Sequence, residues 1–250
     1  MDVSLFERLV KNGVPSVMLA VQHRMRPEVA RLIVPSVYSH LENHSSVLQY
    51  PVVPSVNRSV FFIDHDHQEA REVGGSSYYN THEAAMALRL AHFLCEQGVQ
   101  QEKITVLVTY AAQMRAMIAH RRDKYKLRSV DRIHITTVDN YQGEENDIII
   151  LSLVRNNKIK SVGFLRTPNR VCVALSRARH GLFILGNIRL LAGSGSKLWI
   201  HVQKVLTKNG EVDKEMTLRC DKHPQQIVKV KHLKYISYFI EELIHLLSSI

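Results

Sequence analysis

Residues able to do chemistry gather in four short stretches of this sequence: 21–27 (VQHRMRP), 108–113 (VTYAAQ), 136–155 (TTVDNYQGEENDIIILSLVR) and 169–179 (NRVCVALSRAR). The third says most. A threonine-rich strand end leads into an Asp-Asn-Tyr-Gln-Gly-Glu-Glu loop, then into an apolar strand ending at an arginine. That layout predicts polar and acidic groups at the rim of a parallel sheet, beyond the carboxyl ends of its strands, where open α/β sheets bind ligands. Thr109, Thr136 and Thr137 stand at strand ends, where hydroxyls and backbone N–H groups suit sugar–phosphate contacts. β-Propensity alone would place threonine there equally well. By residue type, Arg24 and Arg177 are surface cations near helix ends, and Glu145 is a loop acid.

Such groups need a scaffold, and alternating strands and helices supply it. Residues 4–10 read as a short amphipathic helix closed by Asn12-Gly13, and 17–21 as a strand. Pro27 suits the first turn of a helix running to Tyr38. A strand over 59–63 precedes a loop at 64–79. Asn80 offers an N-cap with Glu83 three residues on, and Ala84, Leu88, Ala91, Leu94 and Cys95 form one apolar stripe before Gly98 ends it. Further strands are expected at 104–108, 134–138, 148–154 and 182–185. Helices are expected at 111–125, 167–177 and 197–206. The cations of the 111–125 helix and its exit, among them Arg115, Arg121, Arg122, Lys126 and Arg128, read as a solvated face. Several strands are continuously apolar, which predicts a mainly parallel sheet covered on both faces. Composition shifts near residue 206, beyond which lysine-rich stretches precede an apolar tail at 235–250.

The 250 residues are 45% apolar and 22% charged, ordinary for a globular chain. A net charge of +10 favours a polyanionic partner, nucleic acid before membrane. The cysteines, Cys95, Cys172 and Cys220, lie too far apart to suggest a disulfide framework, so a reducing compartment is expected, cytoplasmic or also nuclear. No apolar run approaches the ~20 residues of a membrane span. The run 193–197 (GSGSK) fails the spacing of a phosphate-binding loop and reads as a turn. Cys220 and His223 supply only two of the four ligands a structural zinc site needs.

Four such motifs in this order resemble the second RecA-like domain of superfamily 1 RNA helicases of the nonsense-mediated-decay type. The loop wording is nearest to the NFX-type zinc-finger-containing helicases, and the resemblance covers residues 1–206. It implies an α/β, RecA-like three-layer sandwich. Residues 1–15 would be the hinge or end of a first helicase domain, 16–206 the second RecA-like domain, and 207–250 an extension that opens a truncated Cys/His-rich region. The resemblance implies that Arg24 and Arg177 contact the γ-phosphate of ATP and that Glu145 bonds the ribose. Gly143 would bring backbone close to phosphate, with Gln142 and His23 also at the nucleotide. Thr109, Thr136 and Thr137 would face single-stranded RNA or another nucleic acid.

Three positions depart from the family pattern: His23 replaces a tyrosine, Thr109 a proline, and Cys172 an asparagine. ATP and Mg²⁺ would both need a Walker A loop and an acidic metal-holding motif, which these residues lack and a first RecA-like domain would supply. The alternative reading is a non-catalytic RNA-binding module that keeps the fold. An unrelated doubly wound nucleotide enzyme is disfavoured by the lack of a G-x-G-x-x-G turn.

Overall fold

The computed structural model describes residues 4–124, 130–219 and 227–230. Its centre is a six-stranded sheet of order β10-β3-β9-β8-β6-β7. The strands are β3 (Val60–Asp64), β6 (Ile104–Val108), β7 (His134–Thr137), β8 (Asn146–Ser152), β9 (Ala178–Gly186) and β10 (Val212–Asp213). Every neighbouring pair is parallel, so all amino ends lie along one edge and all carboxyl ends along the other.

Helices cover both faces. On one side α3 (Thr81–Glu96) and α4 (Ala111–Lys124) bury Leu88, Phe93 and Met117 against Val106, Ile150 and Phe183. On the other, α2 (Pro27–Ala30), α5 (Pro168–Leu175), α6 (Ile188–Gly193) and α7 (Lys197–Lys208) pack Val29, Leu175 and Trp199 against Phe62, Ile149 and Ile184. The residues alternate faces along each strand, which is why the middle of β8, Ile148–Leu151, is continuously apolar. This is the RecA-like three-layer sandwich.

Helix α3 starts where its cap chemistry dictates. The Asn80 side chain accepts from the backbone N–H groups of His82 and Glu83. Around the sheet lie smaller pieces: α1 (Leu5–Lys11), the parallel pair β1 (Val21–Gln22) and β2 (Glu42–Asn43), the hairpin β4 (Ala70–Arg71) and β5 (Tyr78–Tyr79), and the antiparallel pair β11 (Met216–Arg219) and β12 (Ile227–Val230).

Several expected elements differ. The strand expected at 17–21 is only Val21–Gln22 and lies outside the main sheet, because Val17, Met18 and Leu19 meet no layer here and are exposed. The helix expected to reach Tyr38 stops at Ala30, and Val34-Pro35 is a cis peptide within the turns that follow. The expected 64–79 loop contains the β4–β5 hairpin. The helix expected over 167–177 ends at Leu175. The fold also runs past the composition change near 206: β10 joins the sheet beside β3, and Met216 and Leu218 are buried in the core. Cys220, His223, Lys126, Arg128 and the apolar tail at 235–250 lie outside the described residues.

Candidate functional site

The acidic loop does not sit at the carboxyl rim. Thr137 ends β7, but the chain then crosses one face of the sheet before entering β8 at Asn146. A single 3-10 turn, Asp139–Tyr141, makes the crossing, with Tyr141 buried and its hydroxyl 3.3 Å from Thr105 Oγ1 on β6. Gln142, Gly143 and Glu145 therefore emerge at the amino ends of the strands, where all are exposed. Gly143 has φ +92° with open space where a Cβ would stand, so its glycine answers a backbone requirement of the turn.

Arg177 lies at the same edge, between the end of α5 and the start of β9. Its side chain is 9% exposed. Nε donates to Val173 O at 3.0 Å, Nη1 to Glu144 O at 3.2 Å and Nη2 to Ser176 Oγ at 2.9 Å. All three acceptors are neutral. Burial first, and the neighbouring Arg24 cation second, lower the Arg177 pKa from its ordinary value.

Arg24 reaches this point from β1. Its Nε bonds the Glu145 carboxylate and its Nη1 approaches Ser176 O at 3.4 Å. Buried Gln22 fixes the loop that presents it: Gln22 Oε1 accepts from Arg24 N (2.9 Å) and Met25 N (2.7 Å), while Nε2 donates to Met25 O (2.5 Å) and Asn43 Oδ1 (2.7 Å). Arg26 is structural. Its backbone N–H bonds Arg179 O at 3.0 Å, and Nη1 donates to Ser59 Oγ and His180 O, each at 2.6 Å. Gln22 and Arg26 were not picked out from the sequence, although both lie in the same motif.

Arg179, 3.9 Å from Glu145 and 3.7 Å from Asp147, extends the charged cluster. Tyr38 and Cys172 complete its inner wall. Burial, then Cys172, push the Tyr38 hydroxyl pKa up, against the pull of Arg177 and Arg24. His23 is exposed and stacks on His44 with ring centroids 4.0 Å apart. Among the described residues, no group of three or more His, Cys, Asp or Glu could hold a metal ion.

The threonines lie at the opposite edge. Thr109 is buried and its hydroxyl donates to Leu153 O at 3.0 Å. Thr136 is buried within β7, and the half-buried Thr137 accepts from Asn140 N through Oγ1 at 3.4 Å. The structure thus brings Arg24, Glu145 and Arg177 together, and separates them from Thr109, Thr136 and Thr137 by the length of the sheet.

Comparison with known proteins agrees with this architecture. The family described as "AAA domain" matches residues 1–189. The chain is 44% identical over 225 residues to NFX1-type zinc finger-containing protein 1 of Mus musculus, covering 90% of this chain and 12% of that protein. It is 44% identical over 200 residues to the helicase required for RNAi-mediated heterochromatin assembly 1 of Schizosaccharomyces pombe, covering 80% of this chain and 20% of that protein. It is also 36% identical over 206 residues to the regulator of nonsense transcripts 1 homolog of Arabidopsis thaliana, covering 78% and 16% respectively. The chain therefore spans only about an eighth to a fifth of the length of these relatives.

Proposed function

Because this chain belongs to the AAA-domain family, as a superfamily 1 helicase domain of the NFX1 type, we propose that it is the arginine-donating half of an ATP-dependent RNA helicase. One observation carries the reading: Arg177 is a nine-tenths buried guanidinium bonded to neutral oxygens and set beside a second cation, Arg24. The counter-charge of Arg177 is Glu145, an exposed carboxylate already bonded to Arg24, and a buried charge without a directly bonded partner is costly. An arrangement held in that state is suited to an anion arriving from outside, here the γ-phosphate of ATP. Positioned donors in a desolvated site stabilise the charge that develops as the phosphoryl group leaves.

In this reading Glu145 has two roles. It holds Arg24 while the cleft is empty, and it turns to the ribose when phosphate takes its place beside Arg24. Gln142 and the backbone at Gly143 line the same edge, with His23 at the base. A first RecA-like domain would supply the phosphate loop and the ligands for Mg²⁺, which would neutralise phosphate charge when bound. The carboxyl edge, with Thr109, Thr136 and Thr137, faces single-stranded RNA. Since Thr109 and Thr136 are buried, the contacts there fall to backbone groups and to Thr137. The exposed apolar strip at 17–21 is the surface on which the first domain docks.

The test uses a longer protein that also carries a phosphate loop. Arg24→Ala and Arg177→Ala should each lower kcat by about 10³-fold or more, the scale of an arginine finger, with RNA affinity nearly unchanged. Glu145→Ala should raise KM for ATP more than it lowers kcat, because a ribose contact is made in the ground state too. If Arg177→Ala kept wild-type turnover, or lost RNA binding in step with ATPase activity, the assignment of this edge to ATP would be wrong.

A further inference from the structure

At the carboxyl edge, the chain turns sharply after β8. Val154 has φ 68°, a conformation that β-branched residues avoid, and such outliers persist only where surrounding bonds hold them. Here the clamp is explicit. Val154 N donates to the fully buried Glu83 at 2.9 Å, Arg155 N donates to Leu153 O at 2.7 Å, and the Arg155 guanidinium lies 4.1 Å from the Tyr78 ring centroid. Asn156 N then donates to Glu69 Oε2 at 2.5 Å, and Asn157 Nδ2 to the same oxygen at 3.1 Å. Asn157 closes the next turn on itself: Oδ1 accepts from Ser161 N at 2.9 Å and Nδ2 donates to Ser161 O at 2.8 Å. The exposed tip carrying Lys158 and Lys160 therefore stands on a fixed base.

Opposite that tip, Asn187 Nδ2 donates to Asn156 Oδ1 at 2.9 Å, and Arg189 projects from α6. Between them is a pocket of about 410 Å³ lined by Asn156, Asn157, Lys158, Lys160, Asn187 and Arg189, with the remaining lining, Leu190 and Gly193, uncharged. Three cations and three amides converge, and the lining includes no carboxylate. Two acids stand behind the lining: Glu69, held by Asn156 N, Asn157 Nδ2 and the buried Arg155, and Asp64, which pairs with Arg189 at 3.8 Å. The pocket lies at the ends of β8 and β9, on the same edge as Thr109 and Thr137, and Arg177 is at the far end of those strands.

We propose that this pocket grips backbone phosphates of single-stranded RNA, carrying the strand across the carboxyl edge from Thr137 towards α6. The proposal rests on the RNA-binding reading above and adds the residues that give it affinity. Amide and ammonium groups recognise phosphate oxygens without reading bases, so the grip is sequence-tolerant. Its signature is salt dependence, because each neutralised phosphate of a single strand contributes about −0.7 to the slope of log K against log salt.

The experiment titrates the full chain with labelled oligouridylate over a salt series. The triple variant Lys158→Gln, Lys160→Gln, Arg189→Gln should make the slope less negative by about 2, three contacts at the single-strand value. A charge-matched control, Arg132→Gln, Lys204→Gln, Lys208→Gln, removes as many cations from other surfaces and should leave the slope in place. Equal slopes in the two triple variants would overturn the pocket assignment while leaving RNA binding itself standing. Competition by polyglutamate as effective as by unlabelled oligouridylate would overturn it in favour of an acidic protein partner. A wild-type chain that binds no oligouridylate would remove the RNA reading and the pocket assignment together.

Discussion

At the scale of single residues, Arg24 owes its position to Gln22. A buried amide that makes four hydrogen bonds turns the chain after β1 so that Arg24 points at Glu145 and Arg177. Truncating it would strand the N–H groups of Arg24 and Met25, and a buried donor left unpaired costs about 1–3 kcal/mol. Gln22→Ala should therefore lower stability by that amount in urea melts. In a longer protein that carries a phosphate loop it should also reduce kcat for ATP more than RNA affinity, as proposed for Arg24→Ala. A stability loss with normal turnover would show that Gln22 is only a packing residue. The arginines and Glu145 were legible in the sequence because their motif has a fixed spacing. Gln22 and Arg26 were not, since nothing in a string of residues says which polar side chains turn inward. The positions of Thr109 and Thr136 were legible, but their burial was not, because strand-end threonine reads alike in either orientation.

At the scale of elements, α3 and β6 could be read directly, α3 from its apolar stripe between the Asn80 cap and Gly98 and β6 from its apolar run, while the strand expected at 148–154 is β8, shifted to Asn146–Ser152. Short pairs such as β1–β2 and β4–β5 could not, because two residues carry no period. The edge holding the acidic loop was also misplaced by sequence. A turn can begin at a carboxyl end and finish at an amino end, and only the burial of Tyr141 shows the crossing. Two glycines in these connections separate backbone conformation from space. Gly143 has φ +92° and nothing within 4 Å of an added Cβ, so Gly143→Ala should cost about 1–2 kcal/mol for the left-handed backbone alone. Gly163 has φ +51°, but its Cβ would lie 2.3 Å from Tyr110 Oη and 2.8 Å from Arg155 Nη1. Overpacking adds about 1–3 kcal/mol, so Gly163→Ala should be the more destabilising of the two by that margin. It should also disturb the turn that carries Lys158 and Lys160. Paired denaturation curves decide the matter, and equal losses would mean that Tyr110 and Arg155 yield freely.

At the scale of the whole molecule, the apolar residues that the sheet does not use are the informative ones. Val17 is 94% exposed and Leu19 85%, and α1 presents Leu5 and Phe6 without burying any residue. A seven-residue helix is far below the ~12–15 residues at which isolated helices become even marginal in water. Its Ser4 cap and the Lys11–Glu7 ion pair supply only fractions of the missing stability. Helix α1 therefore needs a surface to rest on, and the proposed first RecA-like domain provides one. Hydrogen exchange can test this in the chain alone and in a longer protein carrying the phosphate-loop domain. Backbone amides in 8–12 should exchange close to the unstructured rate in the chain alone, and at least about 100-fold slower in the longer protein, the equivalent of ~3 kcal/mol of docking. Amides of β8 should be strongly protected in both, which controls for global stability. If 8–12 exchanged at one rate in the two proteins, the apolar strip at 17–21 would need another partner, and the two-domain cleft built around Arg24 and Arg177 would lose its structural basis.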